Sequence, residues 1–239
     1  MFNEFEKEDD QWRPDEPKAW TVTKKVISLA FGIFVFAFIG FLLVRMFLSN
    51  PPKAMKKPVW DDTLLAAYNE ARDGGEELKI VQIPTSNAFS EDSKFSVYTV
   101  TYAPSVKQLQ FTVRYNDRVL NYLVQDYPEA KKLIDGGKEE IYVYSLTVTR
   151  GDAVETVNTY KYTKFSRGGY TYRRLIFDNI DLEGVSSVYV GAAYSGKPAV
   201  IRHTVCVYEN STYKLVSQMP LFSYSKPKGK TKNIFTRDI

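Results

Sequence analysis

The longest uninterrupted apolar run of the chain lies near its start, at residues 26–44. Nineteen consecutive residues there carry no charge, while Lys24 and Lys25 precede the run and Arg45 follows it. A helix needs about 20 apolar residues to cross the core of a bilayer. Arg45 can extend its guanidinium to the head groups, so the segment can continue beyond it. The pattern predicts a transmembrane helix from Val26 to Leu48.

Two other kinds of segment also contain apolar runs. The core helix of a soluble protein would show polar residues at a period of 3.6, and this run does not. A cleaved signal peptide has a shorter apolar region followed by small residues at the cleavage site. Phe47 and the four residues after it, LSNP, do not fit that pattern. An uncleaved signal anchor is therefore predicted.

After Leu78 the hydrophobic residues alternate with a period of two, which is typical of half-buried strands. Turn signals separate these segments every 8–12 residues. The predicted strands are 95–99, 108–115, 119–124, 141–149, 154–165, 170–177, 185–194, 200–208 and 213–218. The predicted fold is mainly β: a single-pass transmembrane helix followed by an antiparallel β-sandwich-like domain with one or two short helices.

The short helices are predicted at 61–72, where Asp61 and Asp62 can cap the helix start, and at 127–134. Composition divides the chain further, because charged or proline-rich segments cannot bury a core. The predicted organisation is a disordered acidic tail (1–23), the transmembrane helix (24–48), a basic linker (49–60), an extracytoplasmic β-sandwich-like domain (61–225) and a flexible basic tail (226–239).

Orientation depends on the residues that flank the span. Four positive charges lie close to each side, so their number does not decide it. Lys24 and Lys25 directly abut the apolar run, and long domains translocate largely regardless of charge. We therefore expect a cell-membrane protein with a cytoplasmic N-terminus and an extracytoplasmic domain. The single cysteine excludes an intrachain disulfide framework, which fits a bacterial envelope.

Few residues indicate catalysis or cofactor binding. The chain has one histidine, His203, and one cysteine, Cys206, and their places in a predicted strand suit structural roles. The loop 178–184 has three carboxylates, but their spacing does not match a calcium-binding loop. We expect Ile180 and Leu182 to close the end of the sandwich there. No metal, cofactor or nucleic-acid binding is predicted, and we expect that the protein is not an enzyme.

One predicted hairpin, 157–177, is rich in tyrosine and arginine. If its two arms pair, four tyrosines could line one ligand-binding platform with basic groups at the rim. The alternative is that the tyrosines form a wall of the core. The candidate platform consists of Tyr160, Tyr162, Arg167, Tyr170, Tyr172 and Arg174.

The expected partner is the lipid bilayer, together with an anionic wall polymer, a glycan or another envelope protein. Lysines of the tail 226–239 suit a non-specific electrostatic contact with such anions. Ser28, Gly32 and Gly40 share one helix face and indicate a weak homodimer contact. The predicted function is a binding or structural module of the cell envelope. Two alternatives are a membrane-complex subunit that acts through its helix and tails, and a carboxylate-dependent envelope hydrolase.

Overall fold

The computed structural model describes residues 18–49, 52–84, 88–137, 140–209 and 227–239. The chain divides into two compact units, residues 1–50 and 51–239. The predicted strand 213–218 and the first 17 residues of the predicted acidic tail lie outside the described residues.

The first unit contains one long helix, α1 (Lys18–Ser49). Its segment Val22–Phe47 is long and apolar enough to cross a membrane, and none of it is buried inside the protein. A helix that is apolar on all sides and unburied suits a lipid environment. The predicted span is thereby confirmed as an apolar helix. The predicted disorder of residues 18–23 was wrong, because the helix already begins at Lys18.

The second unit contains two antiparallel β-sheets, and the predicted mainly-β fold is confirmed. The larger sheet has the strand order β1-β3-β4-β8-β7-β11, with β2 also paired to β3; the smaller has the order β10-β9-β5-β6. The larger sheet comprises β1 (Val81–Ile83), β2 (Ala88–Phe89), β3 (Phe95–Ala103), β4 (Gln108–Asn116), β7 (Tyr160–Arg167), β8 (Tyr170–Phe177) and β11 (Phe235–Arg237). The smaller comprises β5 (Tyr142–Arg150), β6 (Ala153–Val157), β9 (Ser187–Tyr194) and β10 (Ile201–Glu209).

The inner faces of the two sheets share one continuous hydrophobic core. Aromatic rings join them: Tyr142 of β5 contacts Phe95 and Tyr115 of the larger sheet edge-to-face, at centroid distances of 5.0 and 5.2 Å. Each such pair adds stabilisation beyond its buried area. The high tyrosine content of the chain therefore serves the core to a large extent.

In the described part of this unit, four α-helices accompany the sheets: α2 (Lys53–Lys56), α3 (Asp62–Asp73), α4 (Val119–Asp126) and α5 (Ala130–Gly136). Asp61 caps α3 as predicted, because its carboxylate accepts a hydrogen bond from the Leu64 amide at 3.0 Å. The prediction of a strand at 119–124 was wrong. Val119 and Leu123 are the buried residues of α4, and their spacing of four is that of one helix face.

The prediction of one strand at 154–165 was wrong as well. This segment forms two strands, and they belong to different sheets. β6 pairs with β5 in the smaller sheet, whereas β7 pairs with β8 in the larger one. The chain crosses between the sheets at residues 158–159, where it leaves the strand conformation. A continuous alternation of residues does not reveal such a crossing.

The predicted linker is part of the domain rather than a free connection. Residues 52–61, which we call the strap, lie on the outer face of the larger sheet. The Gln110 side chain accepts a hydrogen bond from the Val59 amide at 2.8 Å and donates one to the Val59 carbonyl at 2.9 Å. The Thr112 hydroxyl donates to the Met55 carbonyl at 2.8 Å. These side chains satisfy backbone groups of the strap that burial removes from water.

The prediction of a flexible C-terminal tail was wrong for residues 227–239. β11 pairs with β7, and Phe235 packs on Tyr162 with ring centroids 5.3 Å apart. Thr231 also exchanges two hydrogen bonds with Trp60 of the strap, at 2.8 and 2.9 Å. The C-terminal segment thus completes one edge of the larger sheet and secures the strap.

We expect the substitution Gln110→Ala to lower the free energy of unfolding by about 1–3 kcal/mol, because it leaves the buried Val59 amide and carbonyl without partners. Urea denaturation of the full-length protein in detergent measures this loss. Gln82→Ala, at a half-buried position of β1, is the matched control and should change the value by no more than about 0.5 kcal/mol. Equal effects of the two substitutions would contradict the role assigned to Gln110.

Candidate functional site

The outer face of the larger sheet carries the polar residues of its strands. Strand pairing sets these residues in rows: Thr112 of β4 lies beside Arg174 of β8, and the next row places Arg114 beside Tyr172. Because alternate residues of a strand point to the same face, the polar positions of neighbouring strands meet there. The strap covers one part of this face, and among the described residues it does not extend over the part around Arg114 and Tyr170.

The structure separates the residues of the predicted tyrosine platform. The hairpin itself is present, since β7 and β8 pair through a tight turn. Tyr162 lies opposite Leu175, however, so Tyr162 and Tyr160 face the core, where they are 9% and 2% exposed. Tyr170 and Tyr172 lie on the outer face. The expectation that all four tyrosines line one surface was wrong, because the register of the turn places the two pairs on opposite sides of the sheet.

Arg174, another predicted platform residue, is fully buried on the outer face. Its guanidinium donates hydrogen bonds to the Thr99 carbonyl at 2.5 Å and to the Thr101 hydroxyl at 2.7 Å. Thr99 sits in an irregularity of β3 with a φ of 50°, a left-handed conformation that is unusual for a β-branched residue. The irregularity directs the Thr99 carbonyl to Arg174 and so helps to satisfy a buried cation. Arg174 is therefore a structural residue.

A second, half-buried cluster lies where the strap meets α3. Lys161 of β7 forms ion pairs with Asp61 at 2.7 Å and Asp178 at 2.8 Å. Gln108 donates a hydrogen bond to each of these carboxylates, at 3.1 and 2.7 Å. Burial disfavours the charge of Lys161, but the hydrogen bonds to Asp178 and Asp61 outweigh it and raise the pKa of Lys161. This cluster fixes the end of the strap to the sheet.

The open part of the outer face carries an aromatic–basic patch, which we define as Tyr98, Arg114, Phe165, Arg167 and Tyr170. The Arg114 guanidinium lies 4.8 Å from the centroid of the Tyr98 ring and 5.0 Å from that of Tyr170. Arg167 lies beside Tyr170 across the strand pair, and Phe165 is 36% exposed. Two aromatic faces hold the cation of Arg114 in place through cation–π interactions.

Tyr172 lies between Arg114 and Phe165 in one row of the outer face. It is buried, its ring centroid is 6.2 Å from that of Phe165, and it forms a side-chain hydrogen bond with Arg114. Burial raises the pKa of Tyr172, and the nearby charge of Arg114 acts in the opposite direction. The neutral hydroxyl of Tyr172 can therefore hydrogen-bond the Arg114 guanidinium without cancelling its positive charge.

Sequence reasoning found Arg167 and Tyr170 but missed Tyr98, Arg114 and Phe165. Arg114 follows the predicted alternation of 108–115, so the sequence already indicated that it lies on the polar face of that strand. Its contact with Tyr170 requires β4 to lie beside β8, and these strands are more than 50 residues apart in sequence. No local pattern indicates that pairing.

The loop 178–184 serves the core, as expected. Ile180 and Leu182 are buried against the sandwich, and Lys107 neutralises Asp181 through an ion pair at 2.6 Å. Within the described parts of the chain, no group of three or more histidine, cysteine, aspartate or glutamate residues is placed to hold a metal ion.

The single histidine lies at the edge of the core, near the turn between β2 and β3. The ring of His203 stacks on Phe95 at a centroid distance of 4.4 Å, and its Nδ1 is 2.8 Å from the Asp92 carboxylate. Burial lowers the pKa of His203, although Asp92 opposes this effect. Cys206, on the same strand, is half-buried, and burial raises the pKa of its thiol. Neither residue belongs to the aromatic–basic patch.

Comparison of the chain with protein-family models, with curated proteins and with solved structures finds no match. The fold and the patch are therefore the basis for the functional argument.

His203 should make stability depend on pH. Its pKa in the folded protein is below the ordinary value of 6.5, so the unfolded chain takes up the proton first as the pH falls. The free energy of unfolding should therefore decrease as the pH drops below about 6.5. Urea denaturation at pH 7.5 and 5.5 measures the loss.

The variant His203→Gln should show a smaller loss over this range than the unsubstituted protein. Asp92→Asn should show a larger loss, because it removes the carboxylate that favours the protonated ring. If His203→Gln and the unsubstituted protein lose the same amount, the histidine is not the source of the pH dependence.

Proposed function

We propose that this protein is a single-pass membrane-anchored binding module of the cell envelope, without catalytic activity, and that its aromatic–basic patch binds an anionic group. The observation that carries the proposal is the position of Arg114, a half-buried cation held between two tyrosine rings on the outer face of the sheet. Because the rings and the Tyr172 hydroxyl already orient the guanidinium, binding costs little side-chain entropy.

The chemistry of the patch suits phosphate or carboxylate groups. The planar guanidinium presents its N–H groups in a fork that matches two oxygens of such an anion. Phe165 and Tyr170 add faces that can contact sugar rings or the apolar parts of a ligand. Three cavities of 420, 540 and 500 Å³ have linings that include none of the patch residues. A flat site on a sheet suits an extended polymer or a surface better than a small molecule.

The strap supports the role of a membrane-held module. Met55 lies eight residues after the end of the candidate span at Phe47, and it is already bonded to the sheet through Thr112. Few residues therefore separate the candidate span from the first contact between the chain and the sheet. Lys24 and Lys25 next to the span favour a cytoplasmic N-terminus and an extracytoplasmic domain.

The second candidate is a subunit of a membrane complex, which would use α1 for contact with another helix. A Cβ atom added at Gly32 or Gly40 would meet nothing within 4 Å, so this face of α1 can approach a second helix closely. A homodimer through Ser28, Gly32 and Gly40 is one form of this proposal.

The third candidate, a carboxylate-dependent hydrolase, has less support. Asp61 and Asp178 are two carboxylates that the fold brings together, but both bind Lys161, and Asp61 also caps α3. Both carboxylates are therefore engaged in contacts that hold the fold together, which does not favour a catalytic role.

The substitution Arg114→Gln should weaken binding of the full-length protein in detergent to immobilised inorganic polyphosphate about tenfold, because a charged hydrogen bond is lost. Arg114→Lys should weaken it less, since the charge remains and the fork is lost. Binding should decrease with added salt. Lys131→Gln, at an exposed position of α5, is the control with the same charge change. If Arg114→Gln and Lys131→Gln bind alike, the patch is not the anion site.

The proposed orientation makes a separate prediction. Protease added to intact cells should digest the β-domain and leave an epitope at the N-terminus protected. A reversed pattern, with the domain protected and the epitope lost, would place the domain in the cytoplasm. Permeabilised cells, in which both parts should be digested, serve as the control.

A further inference from the structure

We infer that the aromatic–basic patch docks on the anionic head groups of the bilayer that holds α1. This inference rests on the proposed function and names the source of the anion. The ligand is thus a phospholipid surface rather than a soluble phosphate or a wall polymer.

The first argument is the composition of the patch. Tyrosine and arginine both combine an apolar body with a polar end, and such side chains are favoured at the boundary between head groups and hydrocarbon. Arg114 and Arg167 supply charge, whereas Tyr98, Phe165 and Tyr170 supply rings. Phe165 is exposed, and the other four patch residues are half-buried. Aromatic rings beside cations are the combination that membrane-surface segments use.

The second argument is shape. Across β4, β8 and β7, one row of the sheet consists of Asn116, Tyr170 and Arg167. The adjacent row consists of Arg114, Tyr172 and Phe165, two residues and roughly 7 Å further along the strands. Side chains in two neighbouring rows of one sheet lie at a similar height. A bilayer offers a flat array of anions that can meet several of them at once.

The third argument is the position of the strap. Met55 is bonded to Thr112, which lies two residues from Arg114 on β4. Lys53, Lys56 and Lys57 belong to the same short segment and are exposed. The first basic residues after the candidate span thus lie near the row next to the patch, on the same outer face of the sheet.

Charge favours the same partner. The strap lysines and the two patch arginines supply five positive charges, and a cluster of this size near a span is typical of segments that bind anionic lipid. Asp117, an acidic residue close to Arg114 in sequence, is engaged elsewhere, because its carboxylate accepts a hydrogen bond from the Thr171 hydroxyl at 2.7 Å. Each cation contributes roughly a fivefold increase in the ratio of docked to undocked domain. The attraction should decrease at high salt.

The test uses the full-length protein in lipid nanodiscs, with a fluorescent probe beside the patch. Cys206→Ser removes the native thiol, and Ser166→Cys places the probe near the end of β7, between Phe165 and Arg167 in sequence. A second labelled protein carries Asp152→Cys in the turn between β5 and β6 of the other sheet. The discs contain a quencher on the lipid head groups and either phosphatidylglycerol with phosphatidylcholine or phosphatidylcholine alone.

We expect the probe at residue 166 to be quenched several-fold more in the anionic discs than in the neutral discs, and the probe at residue 152 to be quenched equally in both. Combining Arg114→Gln with Arg167→Gln should reduce the ratio of docked to undocked domain about 25-fold, as two lost charges predict. Lys131→Gln combined with Lys132→Gln on α5 changes the net charge equally and should leave the quenching unchanged.

Two results would overturn the inference. One is equal quenching at residue 166 in anionic and neutral discs, and the other is the same quenching for the patch variant and its α5 control. If either occurs while Arg114 is still needed for polyphosphate binding, the patch binds a soluble or wall anion, and only the lipid assignment fails. If Arg114 is also not needed for polyphosphate binding, the proposed function fails as well.

Discussion

The domain depends on the hydrogen bonds between the strap and the outer face of the larger sheet. Backbone groups that leave water must find partners, and a segment lying flat on a sheet cannot pair with strands that are already paired. Gln110 and Thr112 solve this problem by offering side-chain groups to the backbone of the strap. In return, the strap removes these polar side chains from water. The part of the outer face beneath the strap is therefore dry and polar, whereas the exposed face of a typical antiparallel sheet is solvated.

This arrangement places two cations, Lys161 and Arg174, beneath or beside the strap, and the sequence supports each in a different way. Lys161 receives two carboxylates, whereas Arg174 receives a carbonyl from an unusual backbone conformation and the hydroxyl of Thr101. Removing one partner from such a cluster costs more than the cluster contributes, because an unpaired buried charge remains. Polar contacts of this kind favour one position of the strap over others. The aromatic–basic patch begins beside the contact between Met55 and Thr112, near the start of the strap, so the position of the strap also sets which part of the face it covers.

Sequence patterns predicted the parts of this structure that depend on local periodicity. The apolar helix, the mainly-β domain, the cap at Asp61 and the buried Ile180 and Leu182 follow from composition and spacing alone. The failures have a common cause, which is that pairing between distant segments is not encoded locally. The register of the β7–β8 turn decided which tyrosines are buried, and the order of β4 and β8 decided that Arg114 meets Tyr170. The C-terminal residues read as a disordered tail because three residues of β-strand, β11, carry no period that can be recognised.

The contact between Trp60 and Thr231 has a consequence for biosynthesis. These residues are 171 positions apart, and a ribosome adds about 5–20 residues per second, so the strap waits roughly 10–35 s for this partner. Until β11 is made, the edge of β7 is an unpaired strand, which is a template for association with other chains. The newly made domain therefore passes through an interval in which an incomplete sheet is already tethered to its membrane helix. Chaperones and proteases of that compartment have their best access to the protein during this interval.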